Sequence, residues 1–291
     1  MISNNGRLKI AVQKSGRITE DSLHLLRSTG LMFEYTGRSL LSPCENFPLD
    51  ILWLRDDDIP EYVQDGVSDL GIVGFNVLEE RRARVRSLEH LGFGRCRLSI
   101  CVPQEAKFNK VSDLRRKRIA TSYPRALKRF LSAQKVKAEV IEISGSVELA
   151  PALDVADAIC DLVSTGSTAR VNGLEPKFTV FESEAILIAN HSSLESPDRK
   201  KDVERLIFRI RCTRNAHGRK YVMMNAPASK IERLRELVPG MKSPTVVPLA
   251  NPEMVAVHSV VPEEGLWELI EKLKQAGASD IIVVPIEKMV S

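Results

Sequence analysis

The sequence predicts an α/β protein made of two similar lobes around a cleft, followed by a smaller β-α-β-β-α-β unit. Three observations carry that prediction. Strand-like apolar runs alternate with helix-like segments through the first two thirds of the chain, as in open α/β sheets. The order of segments then repeats once. Finally, eleven residues separate Asp58 from Asp69, and eleven separate Ser146 from Asp157. Each interval runs from the residue before a short helix to the acid that opens the next strand.

In the first lobe, RLKIAV reads as a strand, QKSGR as a loop, and TEDSLHLLRS as a helix with Thr19 as its cap and acids in its first turn. LDILWL is a strand and RDDD a loop. IPEYVQDG is a short helix with Asp58 as cap and Pro60 in the first turn, where its missing N–H costs little. DLGIVG returns as a strand. In the second lobe, Arg118 to Ala120 is a strand, TSY a loop and PRALKRFLSAQ a helix; AEVIEI, SGSVELAPAL and DAICDLV follow as strand, loop with helix, and strand. Ligands of paired α/β lobes bind at the carboxyl ends of the strands. The cleft loops are then QKSGR, RDDD, the turn after DLGIVG, TSYPR and STGST.

After a polar stretch, HSSLESPDRK, and a charged helix, KKDVERLIFRIRC, comes the third unit. KYVMMN is a strand, SKIERLRELV a helix ended by Pro239-Gly240, and TVVPL a strand. VAVHSVV is the next strand, PEEGLWELIEKLKQAG a helix ending at Gly277, and DIIVVPI the last strand. This order is ferredoxin-like, and it contains no nucleophile–base pair.

Composition narrows the function. Of 291 residues, 43% are hydrophobic, enough for sizeable cores, and the net charge of +4 falls short of a nucleic-acid binder's basic footprint. Arg81, Arg82, Arg84 and Arg86 have little aromatic company, and Arg115, Arg116, Lys117 and Arg118 read as a solvated turn. Five cysteines without C-x-x-C spacing and scattered histidines give no metal site. The N-terminus has no apolar signal core and no run suits a membrane span, so the expectation is a cytoplasmic protein with reduced thiols.

The stretch from Asp157 to Leu174, DAICDLVSTGSTARVNGL, places Ser164, Thr165, Gly166, Ser167 and Thr168 between a strand and a helix. Small residues let backbone N–H groups approach a phosphate, and a helix start favours negative charge. A plain turn with Thr168 as N-cap is the alternative.

Taken together, RLKIAVQKSGR, DILWLRDDDIPEYVQDGVSDLGIVG, RIATSYP, SGSVELAP, DAICDLVSTGST, KYVMMNAP, SPTVVPLA and GASDIIVVPIEKM resemble the long-form ATP phosphoribosyltransferase family of histidine biosynthesis, in order and along nearly the whole chain. The resemblance implies two periplasmic-binding-protein-like lobes, with residues 1–96 and 180–215 forming lobe I and 97–179 lobe II. A ferredoxin-like regulatory domain would occupy 216–291. It also implies a reaction, in which N1 of ATP's adenine attacks C1 of phosphoribosyl pyrophosphate (PRPP) and expels magnesium-bound pyrophosphate.

On that resemblance, the 5′-phosphate of PRPP rests on residues 164–168, and Asp161 accepts bonds from the ribose hydroxyls. Asp157, on the same strand face, either touches ligand or is structural; Glu148 is a ribose or base contact or a solvated acid. Lys14, Arg17 and Arg55 are candidates to stabilise the departing pyrophosphate, although Arg55 could instead pair with Asp56 or Asp57. Magnesium rides on substrate phosphates rather than in a protein cage. ATP contacts are expected at Asp69, Gly74 and Phe75. Phe75 stands where relatives tend to carry a polar or acidic residue, and either stacks on adenine or packs the lobe. L-Histidine, the pathway's end product, is expected at Asn225, Thr245, Ala278, Ser279 and Asp280, and the assembly to be a homohexamer in equilibrium with dimers. A non-catalytic bilobal binding module and a phosphoribosyltransferase for another base are the competing readings.

Overall fold

The computed structural model describes residues 6–238 and 243–290. The helix stop expected at Pro239-Gly240 lies outside the described residues. The chain divides into two compact units, Met1–Arg205 and Leu206–Ser291.

The first unit begins with β1 (Leu8–Gln13), α1 (Thr19–Ser28), β2 (Leu41–Pro43), β3 (Leu49–Leu54), α2 (Ile59–Gln64), β4 (Leu70–Gly74), α3 (Phe75–Arg81) and β5 (Arg86–His90). A second sheet follows with β6 (Cys96–Pro103), β7 (Arg118–Thr121), α4 (Pro124–Ala133), β8 (Glu139–Glu142), β9 (Ala158–Val163), α5 (Ser167–Val171) and β10 (Leu174–Ser183). The chain then returns through β11 (Ala185–Ala189) to α6 (His191–Glu195) and α7 (Pro197–Ala216). Lobe I is a six-stranded sheet ordered β2-β3-β1-β4-β11-β5, and lobe II a five-stranded sheet ordered β10-β6-β9-β7-β8. Each lobe sets one strand between two parallel neighbours, β1 between β3 and β4, and β7 between β8 and β9. Each then adds an antiparallel strand, β11 beside β4 and β6 beside β9. That shared order is the two-lobed layout of periplasmic binding proteins. The return to lobe I comes at Glu184, so the boundary expected at residue 180 cuts through β10.

Burial explains the strands. The parallel strands β1 and β4 are apolar and almost wholly buried, as strands covered on both faces must be. Trp53 on β3 is fully buried, with its indole N–H donating to the Ser42 hydroxyl at 2.9 Å.

Two expected caps are corrected. Thr19 is the first helical residue of α1, behind Ile18, and its buried hydroxyl has no hydrogen-bond partner. The Ile18 N–H is instead met by Gln13 Oε1 at 3.2 Å. Asp58 does precede α2, but its backbone is already helical (φ −87°, ψ −24°) at the end of a 3-10 turn over Asp56–Asp58. From that conformation its side chain makes no capping bond, because an N-cap residue needs extended backbone.

The second unit carries β12 (Arg219–Pro227), α8 (Ile231–Leu237), β13 (Thr245–Pro248), β14 (Met254–Pro262), α9 (Leu266–Gln275) and β15 (Ser279–Pro285). Its antiparallel sheet is ordered β13-β14-β12-β15, the ferredoxin-like arrangement. Alternate residues of β12 and β14 (Val222, Met224, Val255, Val257) turn into a core closed by Leu234 of α8 and Leu273 of α9. Gly277, with φ +100°, follows α9 as expected of a helix stop.

Candidate active site

The two lobes begin from the same local device. In lobe I, Asp69 stands just before β4, and its carboxylate accepts the Lys9 N–H of β1 at 2.8 Å. In lobe II, Asp157 stands just before β9, and its carboxylate accepts the Arg118 N–H of β7 at 2.7 Å. Each acid thus ties the amino ends of two parallel strands, one reason the spacing repeats.

That geometry corrects two site assignments. Asp69 is 3% exposed and is also held by the Ser193 hydroxyl (2.6 Å) and the Arg199 guanidinium. It sits at the amino end of β4, and these partners give its carboxylate a structural role in place of the expected ATP contact. Asp157 likewise lies at the amino end of β9, near Lys117 and Arg118. The Arg118 N–H holds its carboxyl below the usual range; burial opposes this, and the Lys117 and Arg118 charges add to the lowering. Its role is the structural one left open by the sequence.

At the carboxyl end of β9 the picture changes. A cavity of about 280 Å³ is lined by Glu148, Asp161, Ser164, Thr165, Gly166, Ser167 and Thr168, with Cys101 and Ile159 among its apolar walls. The loop turns at Gly166, where φ is +77°. The Thr165 and Ser167 hydroxyls lie 3.0 Å apart, and Arg170 donates to the Thr165 carbonyl at 3.1 Å. Among the described residues, the N–H groups of Thr165, Gly166, Thr168 and Ala169 make no backbone hydrogen bond. Helix α5 spans only five residues, so its dipole is short, and donor strength must come from the loop itself. Thr168 is not its N-cap; Gly166 is.

Two acids face this cavity. Burial, then the like charge of Glu148, pushes the Asp161 carboxyl up, while the Leu162 N–H bonding Oδ1 at 2.8 Å opposes them. The Cys101 thiol is pushed up to about 12, chiefly by burial, so it is an inert wall.

A second, larger cavity of about 500 Å³ opens between the lobes. Lobe I supplies Asp56, Asp57, Glu80 and Arg81; lobe II supplies Ser122, Tyr123, Arg125, Lys128, Glu142 and Ser144 among others. Several contacts that the sequence did not reveal join the lobes here. Glu80 accepts the Arg125 and Ala126 N–H groups at 2.9 and 2.8 Å, capping α4 from the other lobe. Arg129 donates to Glu79 at 2.7 Å, and Asn76 Nδ2 donates to the Tyr123 hydroxyl at 3.2 Å. Burial drives the Tyr123 hydroxyl upward; the Asn76 bond opposes this, and Asp161, Asp56 and Asp57 add to it. Tyr123 therefore feels the acids of both cavities.

The expected cations lie at the carboxyl ends of neighbouring strands. Gln13 and Leu54 are paired in register, so Lys14 and Arg55 leave β1 and β3 side by side. Arg55 is exposed and makes no ion pair among the described residues; Asp57 pairs with Arg81 instead, at 3.3 Å. Arg17 donates to the Gly94 carbonyl at 2.7 Å, on the segment crossing between lobes. None of the three lines either cavity as it stands. The loop of Lys14 and Arg17 turns at Gly16, whose φ of +140° lies in the range that favours glycine. Gly74 ends β4, and Phe75 packs edge-on to Phe181 with centroids 5.7 Å apart, which favours packing over adenine stacking. Among the described residues, no group of three or more His, Cys, Asp or Glu could hold a metal ion, and no helix is long and apolar enough to cross a membrane.

In the second unit, Asn225 and Ser279 are paired in register, and Asp280 Oδ2 accepts from Asn225 Nδ2 and the Ser279 hydroxyl, both at 3.1 Å. The Ala278 N–H is spent on the Leu273 carbonyl at 3.0 Å, so it is not a free donor. Thr245 lies on β13, at the opposite sheet edge from β15. At roughly 4.8 Å per strand, ~10 Å of sheet separates it from Asn225 on β12 and ~14 Å from Ser279 and Asp280 on β15.

Comparison with known proteins agrees with this geometry. The family model "HisG: ATP phosphoribosyltransferase" matches residues 55–212, and "HisG, C-terminal domain" matches 216–288. An ATP phosphoribosyltransferase of Cytophaga hutchinsonii is 50% identical over 97% of this chain and 98% of its own length. One from Bacteroides fragilis is 46% identical over 97% and 99%. The solved ATP phosphoribosyl transferase (HisG:HisZ) complex from Thermotoga maritima includes a chain that is 27% identical, with a TM-score of 0.60 over 70% of this chain and 96% of that one. With two cavities at the strand ends of matched lobes and relatives of this closeness along its whole length, the chain belongs to the ATP phosphoribosyltransferase family.

Proposed function

We propose that the lobe II cavity is the PRPP site and that the cleft above it receives ATP. The protein is an ATP phosphoribosyltransferase of histidine biosynthesis: adenine N1 forms a bond to ribose C1 as the bond from C1 to pyrophosphate breaks. One observation supports the siting most. Glu148, Asp161 and residues 164–168, apart in sequence, line one cavity sized for a sugar phosphate. In this reading the loop N–H groups and the Thr165, Ser167 and Thr168 hydroxyls cradle the 5′-phosphate. Asp161 accepts the ribose hydroxyls, with Glu148 beside it.

The pyrophosphate then points toward lobe I, where Lys14, Arg17 and Arg55 oppose the charge that grows as it leaves. Magnesium, when bound to that pyrophosphate, would supply charge neutralisation there. Asp56 and Asp57, at that edge of the cleft, are the carboxylates suited to face its water shell. ATP occupies the cavity between Arg81, Arg125 and Lys128, with Gly74 and Phe75 behind it.

The second unit is read as the regulatory domain. Asn225, Ser279 and Asp280 offer a carboxylate, an amide and a hydroxyl to L-histidine, and Thr245 joins them only from a neighbouring subunit. Val246 and Val247 on β13, and Ile282, Val283 and Val284 on β15, are exposed apolar strand residues. Such edges suit association of copies into the expected hexamer.

The test is pyrophosphate release on mixing the protein with ATP, PRPP and magnesium. A binding module releases none, and a transferase for another base releases it only with that base.

A further inference from the structure

Ser99 lies on β6 with 1% of its surface exposed, and its hydroxyl has no hydrogen-bond partner among the described residues. A buried hydroxyl left unpaired is costly, so an unused one calls for an explanation. Its register supplies one. Ser99 is paired with Asp161 across the antiparallel β6–β9 ladder, as Cys101 is with Ile159 and Arg97 with Val163. Paired residues of such a ladder share a face, with Cβ atoms about 5 Å apart. That face is the cavity floor: Cys101, Ile159, Asp161 and Val163 all line the PRPP cavity. The intervening residues Leu98, Ile100 and Cys160 turn the other way, into the lobe II core. On its far side Ser99 faces Thr179 of β10, which is exposed.

Asp161 is the complementary case. Its Oδ1 accepts the Leu162 N–H at 2.8 Å, and Oδ2 receives no protein donor among the described residues. A buried donor without an acceptor therefore adjoins a carboxylate oxygen without a donor.

We propose that Ser99 is a positioning residue for PRPP: its hydroxyl donates to Asp161 in the substrate complex and fixes that carboxylate toward the ribose. A carboxylate has about four acceptor sites. The Leu162 N–H, the Ser99 hydroxyl and the two ribose hydroxyls fill them. The donor also favours the ionised carboxylate, against the burial and the Glu148 charge that disfavour it. The other titratable or charged groups near Asp161 are Tyr123 and Cys101, with Cys160 behind it in the core and Arg97 further along β6. The inference rests on Asp161 binding ribose, as read above.

The experiment compares Ser99→Ala, Ser99→Thr and Asp161→Asn in the full-length protein, measuring KM for both substrates and the pH dependence of kcat/KM for PRPP. Ser99→Ala is expected to raise the PRPP KM roughly tenfold, the weight of one bond to a charged group. It leaves the ATP KM unchanged and moves the acid limb of the profile to higher pH. Ser99→Thr keeps the hydroxyl and restores the limb. A purely structural Ser99 would leave KM and profile alone, because alanine only removes an unpaired polar atom. If Asp161→Asn impairs PRPP use while Ser99→Ala keeps the wild-type KM and profile, the Ser99 inference is overturned and the site stands. If Asp161→Asn itself leaves PRPP binding intact, the siting of the ribose is overturned and the inference falls with it. Should Ser99→Ala fold poorly, Ser99→Cys, similar in size but a weak donor, is read by the same limb shift.

Discussion

Replacing Gly166 by valine changes the one residue around which the phosphate loop turns. Space is not the obstacle. A Cβ there would meet Pro176 Cγ at 3.6 Å and Val163 Cγ1 at 3.7 Å, both ordinary contacts. The obstacle is φ at +77°, which a β-branched residue avoids at a cost of about 1–3 kcal/mol. The chain relieves that strain by re-turning the loop, which takes the N–H groups of Thr165 to Thr168 out of line with a shared target. Losing two bonds to a charged phosphate, at about 1.5 kcal/mol each, costs about 3 kcal/mol. At 1.4 kcal/mol per decade, PRPP affinity should fall on the order of 100-fold. Gly166→Ala, strained by less, should fall between the two. The assay is calorimetric titration with PRPP, with thermal unfolding as the control for folding. A folded Gly166→Val protein that binds PRPP like wild type would refute the cradle.

The remaining predictions act elsewhere. Arg17→Ala and Arg55→Ala should each slow the chemical step more than they weaken ATP binding, since the charge they oppose grows at the transition state; single-turnover kinetics separates the two, and a change in ATP affinity alone counts against them. Asp157→Asn should destabilise the fold at neutral pH. Because the folded Asp157 carboxyl lies below its usual value, its contribution is present above the unfolded pKa and is lost as pH falls through the folded one. The wild-type advantage in denaturant titrations should therefore shrink below about pH 4, and a constant difference down to pH 2 counts against the charge argument. Thr245→Ala in the full chain should weaken inhibition by histidine while sparing the uninhibited rate, and unchanged inhibition moves the regulatory site elsewhere.

How much of this was legible in the sequence depends on the range of each interaction. The repeated eleven-residue interval gave the paired lobes, and the structure gives its cause: Asp69 and Asp157 each close a strand pair through one backbone N–H. The same interval did not show which end of the strand each acid occupies, so Asp69 was expected at ATP and Asp157 was left between ligand and structural roles. Spacing places a residue on a strand face, but not at the end of the strand that meets the cleft. Residues 164–168 were legible as one cavity-lining loop because they are contiguous. Glu80 of α3 with Arg125 of α4, Asn76 with Tyr123, and Ser99 opposite Asp161 join residues 45, 47 and 62 positions apart, and nothing local marks them. Strands β5, β6 and β10 stayed hidden for a related reason. β6 and β10 pair antiparallel across long gaps, and β5 carries RSLEH, a basic, half-exposed edge without an apolar run. The sequence thus identified each substrate group's candidate partners, but not how far apart the lobes hold them. In the structure, Lys14, Arg17 and Arg55 stand outside both cavities, and α3 grips α4 through Glu79 and Glu80. If these cations oppose the departing pyrophosphate as proposed, the QKSGR loop must approach the cleft once substrate is bound, whereas the RDDD loop already reaches it through Asp56 and Asp57.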